Sequence, residues 1–224
     1  PPAPSPGNGV VTVVGDGTVT FTGLEPVDMA AFGNVTLSLP NADDLISITN
    51  GTDAGLNTTP ALVVTGTSGG VAIEALHAWN NGELTIDTTG SDGDDSVTLV
   101  SASNAHANAA LTITTGAGID QVTIAGAATF SGDVTVNTQD IDVNAALSGA
   151  NVALTSAGPI DVSATGSVSG TADVTLSAGS NLTTIPGSSV AATGNTILAG
   201  GQSGGAAITI GGTVNGATIA INGG

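Results

Sequence analysis

The most regular feature of the chain is a short strand-like triplet, mostly with apolar outer residues, that recurs between residues 131 and 221. Successive triplets start 18, 22, 22 and 22 residues apart. They occupy residues 134–136, 152–154, 174–176, 196–198 and 218–220. A second series of apolar segments lies between them, at 141–143, 160–162, 182–185 and 208–210, and a third is centred on Leu147, Val168, Val190 and Val214. Each period therefore carries three short strands and three turns.

A unit of this kind cannot bury its apolar face alone, whereas stacked units can, so the period is typical of a solenoid. Outer residues of each triplet point inward and the middle one outward, because side chains alternate along a strand. We therefore predict an all-β fold, a right-handed parallel β-helix of nine or ten coils of about 22 residues. Residues 10–224 are predicted to form this single solenoid, irregular and acidic in 10–133 and regular in 134–224.

The N-terminal half follows the same rhythm less regularly. Residues 1–9 are proline-rich and are predicted to be an arm or linker, so we expect a processed chain or an excerpt of a longer one. Two strands are predicted at 10–14 and 18–22, and the ladder is predicted to begin at 35–37. Further rungs are predicted to start at Leu62, Leu84 and Leu111, loops at 50–60 and 101–109, and a short helical turn within 71–79.

Charge narrows the classes of function. The chain has no Lys, no Arg and 18 acidic residues, for a net charge of −18. Binding to nucleic acid or to an anionic membrane surface relies on basic residues, so neither is expected. No apolar run approaches the roughly 18 residues that a membrane span needs. The absence of cysteine removes disulfides and thiolate metal sites.

Two stretches resemble known families. Residues 151–170, NVALTSAGPIDVSATGSVSG, are similar to coils of filamentous-haemagglutinin-type adhesins. Residues 84–99 and 111–124, with the segment FTGLEPV at 21–27, resemble parts of very large secreted repeat proteins of planctomycete-like bacteria. The resemblance implies a parallel β-helix that serves as a stalk, an adhesin or a surface fibre. Those families usually carry some Lys or Arg, from which this chain departs.

Acidic turns are the candidate metal site. Asp92, Asp94 and Asp95 lie in GSDGDD, and Asp120 follows GAGI in a pattern close to the opening of calcium-binding β-roll repeats. Calcium takes six to eight oxygen ligands, which clustered carboxylates and exposed carbonyls supply. Asp95 and Asp120 each lie two residues before a matching valine, so stacked coils would bring them together. The alternative is that these are solvated turn residues.

Other candidate residues favour structural roles. His77 and His106 have no metal-ligand partner at turn or helical spacing, and Trp79 is interpreted as a cap on the apolar core in preference to a sugar platform. Parallel β-helix enzymes that act on acidic sugars need basic residues, and a hydrolase of neutral sugars needs two converging carboxylates in a cleft. We therefore predict that the chain is not an enzyme.

The predicted ends of the rod suggest its role. No charged or helical cap follows the last rung, and open strand edges recruit further strands. We expect a structural subunit or segment of an extracellular cell-surface fibre, whose partners are copies of itself or flanking coils of a longer chain. The main alternative is the stalk of a bacterial adhesin that presents a module binding surface glycans. Minor alternatives are a calcium-binding surface-layer protein and an ice-binding protein with outward threonines.

Overall fold

The structure is a computed structural model that describes residues 8–13, 17–22, 26–91, 93–201 and 207–223. The predicted proline-rich arm lies almost wholly outside these residues, as do Asp92 and the turn at 14–16. Within the described part, strands dominate, and the one-turn 3-10 helix at Asn104–His106 interrupts them.

The strands follow one another at short intervals along the chain. The first eight are β1 (Asn8–Val13), β2 (Gly17–Thr22), β3 (Val27–Ala30), β4 (Asn34–Ser38), β5 (Leu45–Thr52), β6 (Pro60–Ser68), β7 (Val71–Ala72) and β8 (Leu76–Trp79). The next eight are β9 (Glu83–Asp87), β10 (Ser96–Leu99), β11 (Ala110–Thr114), β12 (Gln121–Ile124), β13 (Ala128–Thr129), β14 (Val134–Thr138), β15 (Asp140–Val143) and β16 (Ala146–Gly149). The last ten are β17 (Val152–Ser156), β18 (Ile160–Val162), β19 (Ser167–Gly170), β20 (Val174–Ala178), β21 (Leu182–Thr184), β22 (Ser189–Ala192), β23 (Asn195–Gly200), β24 (Ile208–Ile210), β25 (Thr213–Asn215) and β26 (Thr218–Gly223).

In the described residues these strands form three sheets, of which the third begins only at β13. Sheet 1 has the order β2-β1-β4-β9-β11-β14-β17-β20-β23-β26. Sheet 2 has the order β24-β21-β18-β15-β12-β10-β5-β6-β8-β3, and sheet 3 the order β13-β16-β19-β22-β25. Each regular coil contributes one strand to each sheet, so the predicted three strands per coil are confirmed.

Stacking in register creates the core. Val134 pairs with Val152, and Val152 with Val174, in parallel strands of sheet 1. All three side chains are at most 1% exposed, whereas Thr135 beside them is exposed. The β-solenoid fold is therefore confirmed, with coils about 23 residues apart. It makes about six turns, fewer than the nine or ten that were predicted.

A hairpin accounts for part of this difference. Strands β5 and β6 pair antiparallel, with Ile48 opposite Val64 and Asn50 opposite Leu62. The prediction that Leu62 starts a rung of the parallel ladder is therefore wrong. Leu84 stacks directly on Val35, because the chain between them is used for the hairpin and for β7 and β8. The predicted helical turn within 71–79 is also wrong, since β7 and β8 occupy it.

The two ends of the parallel ladder differ. At the C-terminal end, β24, β25 and β26 each have a neighbour on one side only among the strands of the described residues. At the N-terminal end, β4 in sheet 1 is covered by the antiparallel pair β1–β2, and β5 in sheet 2 by the antiparallel β6. The outermost strands at this end are therefore β2 and β3. The first predicted pair of strands is confirmed as β1 and β2.

Candidate functional site

Three aspartates are stacked at the corner where the chain enters sheet 2. Asp44, Asp95 and Asp120 immediately precede β5, β10 and β12, whose first residues are in register. All three side chains are at most 2% exposed, and we call them the inner aspartate column. The prediction that stacking would bring Asp95 and Asp120 together is confirmed.

Side-chain to backbone hydrogen bonds hold this column together. The Asp44 amide donates to Asp95 Oδ1 at 2.8 Å, and the Asp95 amide donates to Asp120 Oδ1 at 3.0 Å. The second oxygens, Asp95 Oδ2 and Asp120 Oδ2, are buried and have no hydrogen-bond partner among the described residues. One carboxylate oxygen of each therefore orders the corner, while the other forms no hydrogen bond there.

An outer column flanks the inner one on the solvent side. Asp43 and Asp94 are its members, and the Asp94 amide donates to Asp43 Oδ1 at 3.0 Å. The amide of the exposed Ile119 in turn donates to Asp94 Oδ1 at 3.0 Å. Asp94, a predicted metal ligand, thus faces away from its neighbour Asp95, because successive residues of an extended chain point in opposite directions. Asp92 lies outside the described residues.

The negative charges of the inner aspartate column have no Lys or Arg to pair with, because the sequence contains neither. Burial, with a smaller contribution from the Asp95 and Asp43 charges, raises the pKa of Asp44 to about 6, although the Ser68 hydroxyl and the Gly69 amide act in the opposite direction. In the sequence, Asp43 and Asp44 precede Leu45 and Ile46 in the same way as Asp95 and Asp120 precede their strands. Asp44 was nevertheless not among the predicted ligands, because 51 residues separate it from Asp95, whereas 25 separate Asp95 from Asp120. In the described residues, no group of three or more acidic or histidine side chains is arranged to hold one metal ion.

The same kind of ladder recurs at a second corner, with asparagine in alternate coils. Asp133 Oδ1 accepts the Asn151 amide at 3.1 Å, Asn151 Oδ1 accepts the Asp173 amide at 3.3 Å, and Asp173 Oδ1 accepts the Asn195 amide at 2.6 Å. Alternation keeps carboxylates from being neighbours, which avoids the repulsion between like charges on adjacent strands. We call this set the alternating ladder. This ladder shows that the side-chain oxygen of either aspartate or asparagine can accept the backbone amide of the next coil.

A third corner uses buried asparagines alone. Asn108 Oδ1 accepts the Asn81 backbone amide at 3.1 Å and the Asn81 Nδ2 group at 2.8 Å, while Asn108 Nδ2 donates to the Ala78 carbonyl at 2.8 Å. Asn81 in turn accepts the Phe32 amide at 3.0 Å. Both asparagines are at most 2% exposed. Their side chains thus satisfy the backbone of three coils without any charge.

His106 belongs to the core next to these asparagines. Its ring packs against Phe130 with the centroids 5.3 Å apart, and its Nδ1 accepts the Asn108 amide at 2.9 Å. Its Nε2 is buried without a partner. Burial lowers the pKa of His106 to about 4, so the ring is neutral in the folded protein at pH 7. His77 contacts the Thr52 carbonyl oxygen through Nδ1 at 2.5 Å.

We expect His106 to make the protein less stable in mild acid. An unfolded histidine binds a proton near pH 6.5 and His106 near pH 4, so its contribution to stability is present above pH 6.5 and lost as the pH falls towards 4. Thermal unfolding of the wild type and of His106→Gln, measured across this range, should show a smaller advantage of the wild type at low pH.

His77→Gln serves as the control. When it is introduced into both proteins, the pH dependence of the difference in stability between the wild type and His106→Gln should stay unchanged. Asp44 acts in the opposite sense, because its raised pKa favours the folded state below about pH 6. Both proteins of the comparison contain Asp44, so its contribution cancels. A wild-type advantage that is constant with pH would contradict the role given to His106.

Comparisons with known proteins give no assignment. No protein-family profile matches the chain, and neither curated proteins nor solved structures provide a match. In the described residues, no helix has the length and apolar character needed to cross a membrane. The β-solenoid and its polar corners are therefore the basis for any functional conclusion.

Proposed function

We propose that this solenoid is a structural segment of an extracellular cell-surface fibre, in which copies join head to tail through their strand edges. Strand direction is the observation that carries the proposal. In sheet 1, β2 is antiparallel to β1, and β1 is antiparallel to β4, so β2 runs in the same direction as β4 and β26. In sheet 2, the two antiparallel steps between β5 and β8 likewise leave β3 running in the same direction as β24.

Because β2 runs in the same direction as β26, and β3 in the same direction as β24, strands at the two ends of the solenoid can pair in parallel. When one copy stacks on the next along a common axis, β26 would meet β2, and β24 would meet β3, in parallel orientation. A contact between two different surfaces that does not close into a ring propagates as a filament. Unpaired edge strands supply the backbone donors and acceptors that such a contact needs.

The apolar face at the C-terminal end also supports this partner. Ile210, Ile219 and Ile221 are 39%, 45% and 53% exposed. Their partners one coil earlier, Thr184, Thr196 and Leu198, are at most 1% exposed. These isoleucines therefore face the same way as the buried residues one coil earlier, and a further coil, from a second copy of this chain or from a longer chain, would cover them.

The composition favours an extracellular setting, in agreement with the resemblance of the sequence to secreted bacterial repeat proteins. Without Lys or Arg, the chain offers no site for proteases that cleave after basic residues, a property that suits a long-lived surface material. The second candidate is an adhesin stalk, which the same rod would serve as a spacer for a glycan-binding module. An ice-binding role is less favoured, because the threonine column Thr36–Thr85–Thr112–Thr135 is interrupted by Ala153 in the next coil.

The fibre proposal predicts concentration-dependent filaments of the purified protein. Negative-stain microscopy should show unbranched rods, and light scattering should show masses well above that of the 21.1 kDa chain. Ile221→Asp should abolish assembly, because it places a charge on the face that the next copy covers. Asn222→Asp, on the same strand but on the outward-facing side, adds the same charge and should leave assembly intact.

The outcomes separate the two candidate functions. Filaments that Ile221→Asp prevents and Asn222→Asp permits support the fibre. A protein that stays monomeric at millimolar concentration contradicts head-to-tail assembly, and affinity of that monomer for a surface glycan favours the adhesin stalk. Equal assembly of both variants would show that another surface is responsible.

A further inference from the structure

The inner aspartate column contains more negative charge than its structural role requires. Its ladder bonds use Oδ1 alone, and Asn81, Asn108 and Asn151 form the equivalent bonds elsewhere with an amide oxygen. An asparagine at Asp95 or Asp120 would keep the same bond without a buried charge. The second carboxylate oxygen therefore needs a function of its own.

Nothing in the described chain compensates that second oxygen. Asp95 Oδ2 and Asp120 Oδ2 are buried and accept no hydrogen bond. The sequence has no Lys or Arg that could pair with them. Burying a carboxylate without a partner is strongly unfavourable, and buried charges are normally paired or bound to metal ions. The compensating positive charge must therefore come from outside the chain.

Backbone oxygen is available at the same corner. Gly118 adopts a φ of +146°, and the position that a Cβ would take there lies 1.8 Å from the Gly93 carbonyl oxygen and 3.1 Å from Asp120 Oδ1. The Gly93 carbonyl oxygen therefore occupies the place that a side chain of residue 118 would take, next to the carboxylate of Asp120, and it brings a backbone oxygen to this corner. Oxygen atoms of these two types are the ligands that calcium prefers.

We propose that Asp95 and Asp120, with the carbonyl of Gly93, bind a calcium ion at this corner. Three acidic side chains do not converge here, so the ion takes two carboxylates and completes its six to eight ligands with backbone oxygen and water. Calcium then links two successive coils and removes the repulsion within the column. This site is independent of the fibre contact, because Asp95 and Asp120 precede the interior strands β10 and β12, whereas the contact involves the end strands β2, β3, β24 and β26.

The test compares asparagine variants that preserve the ladder. The wild type, Asp95→Asn and Asp120→Asn are freed of metal with EDTA, and thermal unfolding is then followed during titration with calcium chloride at constant ionic strength. Asp173→Asn is the matched control, because it makes the same substitution in the alternating ladder, where no carboxylate is one coil away. Magnesium chloride is titrated in parallel.

Calcium should raise the Tm of the wild type and of Asp173→Asn by about 5 °C or more when it exceeds its Kd about 100-fold. Asp95→Asn and Asp120→Asn should lose this rise, and magnesium should produce a smaller one. An equal rise in all four proteins would indicate screening of the overall charge and would overturn the proposal. So would the absence of a rise in the wild type.

Discussion

Replacing Leu154 by alanine is expected to lower the free energy of unfolding by about 2–5 kcal/mol. Leu154 lies in β17 with 0% of its surface exposed, and it stacks between Val136 and Leu176 of the adjacent coils. Backbone hydrogen bonds fix those coils about 4.8 Å apart, so the neighbours cannot close over the missing methyl groups. The cavity therefore persists, and its cost adds to the lost burial of the side chain.

The control lies one residue away on the same strand. Ala153 points outward, and Ala153→Ser should change stability by no more than about 0.5 kcal/mol. Urea unfolding followed by far-ultraviolet circular dichroism measures both variants. Similar, small losses for the two substitutions would show that the interior of the coil tolerates a cavity, contrary to a core built from narrow apolar columns.

The regular half of the fold could be predicted because one period contains the whole structural unit. Val134, Val152 and Val174 recur at nearly constant spacing, and the alternation around them determines which side chains are buried. A stacked coil needs no further information, since each strand pairs with the equivalent strand one period away. The register observed for these valines agrees with that expectation.

The hairpin could not be predicted from the same signal. Ile46 and Ile48 alternate with polar residues in β5, and Leu62 and Val64 are buried in β6, so each strand resembles a rung of the ladder. Alternation indicates which face is buried but carries no information about the direction of the neighbouring strand. The antiparallel pairing depends on the loop at 53–59, where Asp53 accepts hydrogen bonds from the Leu56, Thr58 and Thr59 amides.

The candidate site was predicted in part for a similar reason. The matching residues Val97 and Val122 revealed the stacking of Asp95 on Asp120, because both pairs have the same spacing. The hydrogen bonds from one coil to the next were not apparent, since an asparagine or aspartate beside glycine is also typical of an isolated turn. Only stacking shows that such a side chain bonds a residue 18 or more positions away.

The side-chain hydrogen bonds between coils should stabilise the fold more where they are buried, and we expect the largest of these effects at Asn108. Asn108→Leu keeps the volume but removes the acceptor for the Asn81 amide and the donor to the Ala78 carbonyl. Each buried group that loses its partner costs about 1–3 kcal/mol, so the free energy of unfolding should fall by about 2–6 kcal/mol. Chemical unfolding of the purified variant measures the loss.

Asn151→Leu is the matched substitution in the alternating ladder. Asn151 is exposed, so water can replace its bonds to Asp133 and Asp173, and we expect a loss of no more than about 1 kcal/mol. A loss at Asn108 as small as that at Asn151 would mean that water reaches the Asn81–Asn108 corner. The larger loss would instead establish that buried side-chain ladders, together with the apolar columns, hold successive coils in register.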